Sequence, residues 1–205
     1  MKKLIPGILI AIVFWFVMFS PLTAPNINFW LTMLAATGSL TIYSFLFGRK
    51  ELLEVLDFKP KWILIGIISA AVLYMVFFTG NIITKMMFDF AERQVGNIYA
   101  TKSQASRVFI GLSLLLWIGP SEEIFWRGFI QNNLTKKYGD MKGFIFTTLL
   151  YTLVHIWGFN LMLLAASLFC GLFWGWMYMK YKSLTPGLIS HAIWDLFIFV
   201  IIPVS

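Results

Sequence analysis

Six residues that ionise or carry protons stand in stretches otherwise apolar enough to cross a membrane: Glu122, Glu123, Arg127, His155, His191 and Asp195. The chain has 2 histidines, and both are in this set. A charge near the centre of a spanning helix costs about 2.5–3.5 kcal/mol on insertion scales, so a cluster of them marks a functional site with partners or a wet cavity. Spacing says which groups can meet. Helical residues four apart share a face, which pairs Glu123 with Arg127 and His191 with Asp195. Glu122 is five positions from Arg127 and turns off that face, so it is the carboxylate left free for chemistry.

Two chemical assignments are open to these residues. In the first, Glu122 is a general base that, with His155, deprotonates a water for attack on a peptide carbonyl. His191 then donates to the developing oxyanion, and Asp195 either is protonated or orients His191. In the second, Glu122, His155 and His191 hold a divalent ion such as zinc, whose catalytic sites take three nitrogen or oxygen ligands plus water. The second reading has no local H-E-x-x-H helix to support it and rests on long-range convergence alone. The first reading needs no cofactor.

The elements that must position these groups are membrane helices. The chain is 60% hydrophobic and only 12% charged, with a mean hydropathy of +0.82, whereas soluble domains carry about 25% charged residues. The expected fold class is all-α, a polytopic helical bundle of about seven spans around an intramembrane cavity. Apolar runs of spanning length fall at about 4–20, 27–47, 62–80, 108–131, 143–157, 160–179 and 184–203. The chain reads as one transmembrane domain, 1–205. Within it, 1–80 holds helices without motifs, 81–107 is a polar or interfacial segment, and 108–203 carries every candidate residue. The first run reads as an uncleaved helix, because "SPLTAP" lacks an A-x-A-like cleavage site.

Charge placement sets the expected orientation. Lys2, Lys3, Arg49, Lys50, Lys59, Lys61, Lys136, Lys137, Lys142, Lys180 and Lys182 fall on one side of the membrane, and Lys85, Arg93, Lys102 and Arg107 on the other. The positive-inside rule therefore puts the N-terminus in the cytoplasm. The net charge of +7 is absorbed by this asymmetry and does not describe a nucleic-acid-binding face. A rise of about 1.5 Å per residue puts Glu122 about 21 Å from Lys136, His155 about 20 Å from Lys142, and His191 and Asp195 about 14 and 20 Å from Lys182. The four groups share a level in the membrane.

Helix breakers refine the expectation. Gly119-Pro120 predicts a kink, with Glu122 and Glu123 in the first turn beyond it, where free N–H groups favour negative charge. Thr185-Pro186 predicts the start of the last helix. Gly171 and Gly175 form a small face for close packing within the bundle. Cys170 is the 1 cysteine in the chain, so no internal disulfide can form, and it reads as a small core residue.

"EEIFWRG" (Glu122 to Gly128), "YTLVH" (Tyr151 to His155) and "HAIWD" (His191 to Asp195) resemble, in order, the EExxxR, FxxxH and HxxxN/D motifs of the CPBP family. These are the CAAX-prenyl-protease-2-like and bacteriocin-processing intramembrane proteases, also called Abi proteins. The resemblance spans about 108–203. It implies an intramembrane endopeptidase in which Glu122 and His155 activate water and His191 and residue 195 form the oxyanion site; Glu123 and Arg127, paired by their spacing, are expected to support it. Two departures are present. Asp195 stands where prenyl-processing members carry asparagine, and Tyr151 adds a hydroxyl where the motif has phenylalanine.

The expected partners are the lipid bilayer and a peptide or membrane-protein substrate, in a bacterial plasma membrane. Nucleic acid is not among them. Two other classes compete with the enzyme reading. A non-catalytic bacteriocin-immunity or scaffold protein of the same fold would bind a partner membrane protein through its first three helices or the 81–107 segment. A proton- or ion-coupled transporter would also bury carboxylates and histidines, but the sequence lacks the internal repeat that marks many of them.

Overall fold

Long apolar runs free of interior breakers fold into helices, because lipid leaves every backbone N–H and C=O to be satisfied within the segment. A computed structural model of the chain describes residues 2–204. Its helices are α1 (Leu4–Phe19), α2 (Phe29–Val55), α3 (Pro60–Met87), α4 (Ala91–Ala100), α5 (Arg107–Tyr138), α6 (Asp140–Leu153), α7 (Leu161–Tyr181) and α8 (Thr185–Ile201). No strand occurs among the described residues. The protein is an all-α, membrane-type bundle. The seven expected apolar runs recur in order, and α4 is the extra element, formed inside the polar 81–107 segment.

Seven full crossings do not follow from this. Four helices, α2, α3, α5 and α7, are long and apolar enough to span, and α1 and α8 are shorter apolar helices. Helix α6 has 14 residues, a rise of about 21 Å against a hydrocarbon core of about 30 Å. The upper part of the expected polar segment is helical as well, because α3 continues to Met87 before the chain turns.

Caps set several ends. Asn28 accepts from Leu31 N–H at 3.1 Å to start α2, and Asn160 does the same for Leu163 at 2.9 Å to start α7. Pro186 lies in the first turn of α8, as Thr185-Pro186 predicted. Gly171 and Gly175 face Thr148, Tyr151 and Phe144 of α6. The small face is therefore spent inside the bundle, and Cys170 is buried beside it.

The Gly119-Pro120 expectation needs correction. Helix α5 runs through it without a break, because flanking stretches at Leu114–Ile118 and Ile124–Gln131 widen to π-helical pitch. Gly119 N–H bonds back to Leu114 C=O in the wider register, which takes up the loss of the proline N–H. The glutamates are therefore mid-helix and not at a free helix N-terminus. Gly119 serves a close approach instead: a Cβ there would lie 3.1 Å from the Ala192 backbone, so its absence lets α5 and α8 touch beside the site.

Polar contacts sort the loops into two ends. At one end, Lys3 pairs with Glu51 at 2.9 Å, Lys136 with Glu54 at 3.3 Å and Lys182 with Asp140 at 2.5 Å. Leu184 N–H donates to Val55 C=O at 2.8 Å. Asp57 joins the same end, taking bonds from Ser183 and Trp62, and the Lys59 ammonium beside it holds its carboxyl well below the usual carboxylate range. At the other end, Asn28 donates to Gln104 C=O at 2.9 Å and Asn160 to Gln94 C=O at 2.8 Å. Arg107 donates to Val200 C=O at 2.6 Å, and Tyr99 to Ile198 C=O at 2.7 Å. These groupings match the lysine-rich and lysine-poor sides read from the sequence.

Candidate active site

Helices α5, α6 and α8, with the 3-10 turn Val154–Gly158 that follows α6 and carries His155, bring the motif residues to one cavity of about 510 Å³, whose walls include Glu122, Tyr151, His155, His191 and Asp195. All five are buried. Glu123 and Arg127 lie behind this surface and do not line it. The common level expected for the four groups from helix rise is thus matched by a common cavity.

The expected Glu123–Arg127 pair forms, with Nη1 donating to Oε1 at 2.8 Å and side-chain exposures of 0% and 1%. Arg127 Nη2 also reaches Cys170 C=O at 3.3 Å, and the guanidinium lies 4.8 Å from the Tyr151 ring centroid. A buried charge survives only when paired and hydrogen-bonded, and this arginine is held on three sides.

Sequence spacing assigned His191 to Asp195, and the structure adds a closer partner. His191 Nδ1 lies 3.0 Å from Glu123 Oε1, whereas its Nε2 is 3.6 Å from Asp195 Oδ2, too far for a hydrogen bond. The imidazole is stacked on Trp174 with ring centroids 3.7 Å apart, and Trp174 is itself fixed by its N–H to Ser190 Oγ at 3.1 Å. One Glu123 oxygen therefore serves both Arg127 and His191. Its other oxygen, Oε2, has no partner among the described residues. Gly187 leaves room for it, since a Cβ there would sit 3.0 Å away.

Glu122 behaves differently. Its Oε2 accepts the Tyr151 hydroxyl at 3.1 Å, so the departure from phenylalanine in the second motif places a donor on the free carboxylate. The sequence singled out Tyr151 but left open whether its hydroxyl reached the site.

His155 is held from both sides. Its Nδ1 lies 2.7 Å from Tyr151 C=O, and its Nε2 accepts the Trp15 indole N–H at 3.0 Å. Only an Nδ1–H tautomer satisfies both contacts, and neither nitrogen is left for water or metal in this arrangement. Among the described residues, no group of three His, Cys, Asp or Glu side chains is disposed to hold a metal ion.

Trp15, like Trp174, is a site residue that sequence reasoning missed. It sits in the apolar run of α1, in "FWF", where an aromatic reads as lipid-facing or core, and its contact spans 140 positions. Its replacement by phenylalanine leaves the His155 Nε2 without its donor. Loss of one partner of a buried bond costs about 1–3 kcal/mol, so Trp15→Phe is expected to lower stability by that amount, read from thermal unfolding in detergent.

Fold and site together define an all-helical membrane protein with a buried acid–base cluster facing an internal cavity. Residues 104–197 match the family model described as Type II CAAX prenyl endopeptidase Rce1-like, in agreement with the CPBP motifs read from the sequence. The match runs from just before α5 into α8 and includes every motif residue. Helices α1 to α4, with Trp15, lie outside it. No curated protein and no solved structure matches the chain.

Proposed function

We propose that the protein is an intramembrane endopeptidase in which Glu122 activates water for hydrolysis of a peptide bond. The observation that carries this reading is the division between the two neighbouring glutamates. Glu123 is consumed by Arg127 and His191, while Glu122 lines the cavity with a single protein donor, Tyr151. The family match supports protease activity at the coarse level. Catalysis by Glu122, without a metal, is the finer reading.

The steps follow from the chemistry. Glu122 takes a proton from a water in the cavity as its oxygen attacks the carbonyl carbon. His191 in its doubly protonated form keeps Nδ1–H on Glu123 and offers Nε2–H to the oxyanion. Collapse of the tetrahedral intermediate breaks the C–N bond, and the Glu122 proton passes to the departing amine nitrogen. Asp195, 3.6 Å from Nε2, holds His191 electrostatically and is not itself the oxyanion donor. His155 joins in proton transfer only when its Nε2 leaves Trp15, and otherwise orients the Tyr151 helix turn. The lysine-rich end lies in the cytoplasm of a bacterial cell, and the substrate is a peptide or membrane protein.

Comparative peptidomics of membranes and medium from wild-type and Glu122→Gln cells tests this. Peptides present in the wild type and lost in the variant are expected. An unchanged peptide profile, with any protection against a bacteriocin retained, would instead identify a non-catalytic immunity protein of the same fold.

A further inference from the structure

The cavity has a floor and a mouth, and the two can be told apart by exposure. At the floor, Glu122, Tyr151, His155, His191 and Asp195 are all buried. The exposed residues of its lining are Arg93, Asn97 and Phe159. All three lie at the lysine-poor end: Arg93 and Asn97 on α4, and Phe159 just before α7. Thus, among the described residues, the exposed part of the cavity wall lies at the lysine-poor end, on α4 and just before α7.

Helix α4 is anchored as a rim. The Gln94 C=O and side chain take bonds from Asn160 Nδ2 at 2.8 Å and Met162 N–H at 3.0 Å, which tie it to the start of α7. Thr101 C=O, just past its end, accepts the Trp30 indole N–H at 2.9 Å, which ties it to α2. Arg93 and Asn97 are four residues apart on the same helical face. Neither side chain makes a hydrogen bond or ion pair to another described residue, and both border the cavity. A cation and an amide held unpaired at the mouth of a path to a buried carboxylate fit the carbonyls and carboxylates of an extended peptide.

Resting on the protease reading, we propose that the site takes its substrate from the face of the membrane opposite the cytoplasmic N-terminus. The substrate is then a translocated peptide segment, and it passes Arg93 and Asn97 beneath α4 to reach Glu122. Two independent observations meet in this assignment. The lysine distribution orients the bundle by the positive-inside rule, and the exposed rim orients the cavity within it. A peptide confined to the cytoplasm would face the closed end, where Lys3, Glu51, Lys136 and Glu54 are engaged with one another.

The test places single cysteines at Asn97 and Lys137 in a Cys170→Ser background and treats intact cells with a bulky, membrane-impermeant maleimide. Asn97→Cys is expected to react in intact cells and Lys137→Cys only after the membrane is opened. Modification at position 97 is expected to reduce the Glu122-dependent peptides in the medium at least tenfold, each strain compared with its own untreated cells. Reaction of position 137 in intact cells, or protection of position 97, overturns the orientation. Undiminished peptides with position 97 fully modified overturn the route. Failure of the protease reading looks different, because no Glu122-dependent peptide would exist while the labelling pattern could still be read.

Discussion

Purified Glu122→Gln is expected to lose peptide cleavage by about 10²–10⁴-fold, the range for removal of a general base, while unfolding within about 1 kcal/mol of the wild type. The physical case is that the amide keeps the volume, and its oxygen can still accept the Tyr151 hydroxyl now 3.1 Å from Oε2. What it cannot do is take a proton from water. Glu123→Gln is expected to show the reverse balance. Its amide oxygen can still hold His191, so turnover persists at a reduced level, but Arg127 loses a buried counter-charge at 2.8 Å and stability falls. The comparison uses one Glu122-dependent peptide as substrate and thermal unfolding in the same detergent. Retained turnover in Glu122→Gln, or selective loss of turnover in a fully stable Glu123→Gln, would sink the division of roles.

The largest stability effect is expected at Arg127. Arg127→Met fills much of the same volume but takes from the buried Glu123 carboxylate its permanent cation, leaving only the His191 imidazole beside it. Removing one partner of a buried pair costs about 3–5 kcal/mol. Here the loss also strips Cys170 C=O of a donor at 3.3 Å and removes the guanidinium from the Tyr151 ring. The double variant Glu123→Gln/Arg127→Met is expected to be more stable than Arg127→Met alone, because the buried carboxylate that lost its arginine is then gone. That sign separates an electrostatic penalty from a packing defect, since a packing defect at position 127 would persist in the double variant. A double variant no more stable than the single one would show that packing dominates.

The site's dependence on helices beyond the motifs has a further consequence. The family-matched segment, 104–197, ends the list of motif residues but not the list of residues that hold them. Trp15 on α1 fixes His155, and α4 supplies the exposed rim of the cavity. Both elements carry little that a motif search can recognise. An indole donor or a rim amide is defined by where it lies relative to the site, and many residue types could stand there.

The sequence by itself determined where the apolar helices lie, because runs of apolar residues leave lipid-compatible backbone pairing only in a helix, but it did not mark α4 or the last turns of α3. It also determined the Glu123–Arg127 pair and that Glu122 stands off that face, since a period of 3.6 residues fixes neighbours within one helix. Its Gly-Pro expectation failed because local propensity does not register that a π-helical stretch can absorb a missing N–H. Only the tertiary structure decided that His191 turns to Glu123 across 68 positions, that Tyr151 reaches Glu122 across 29 and that Trp15 reaches His155 across 140. Those partners are set by how helices pack, and packing depends on shape matched between distant segments, which no local spacing encodes.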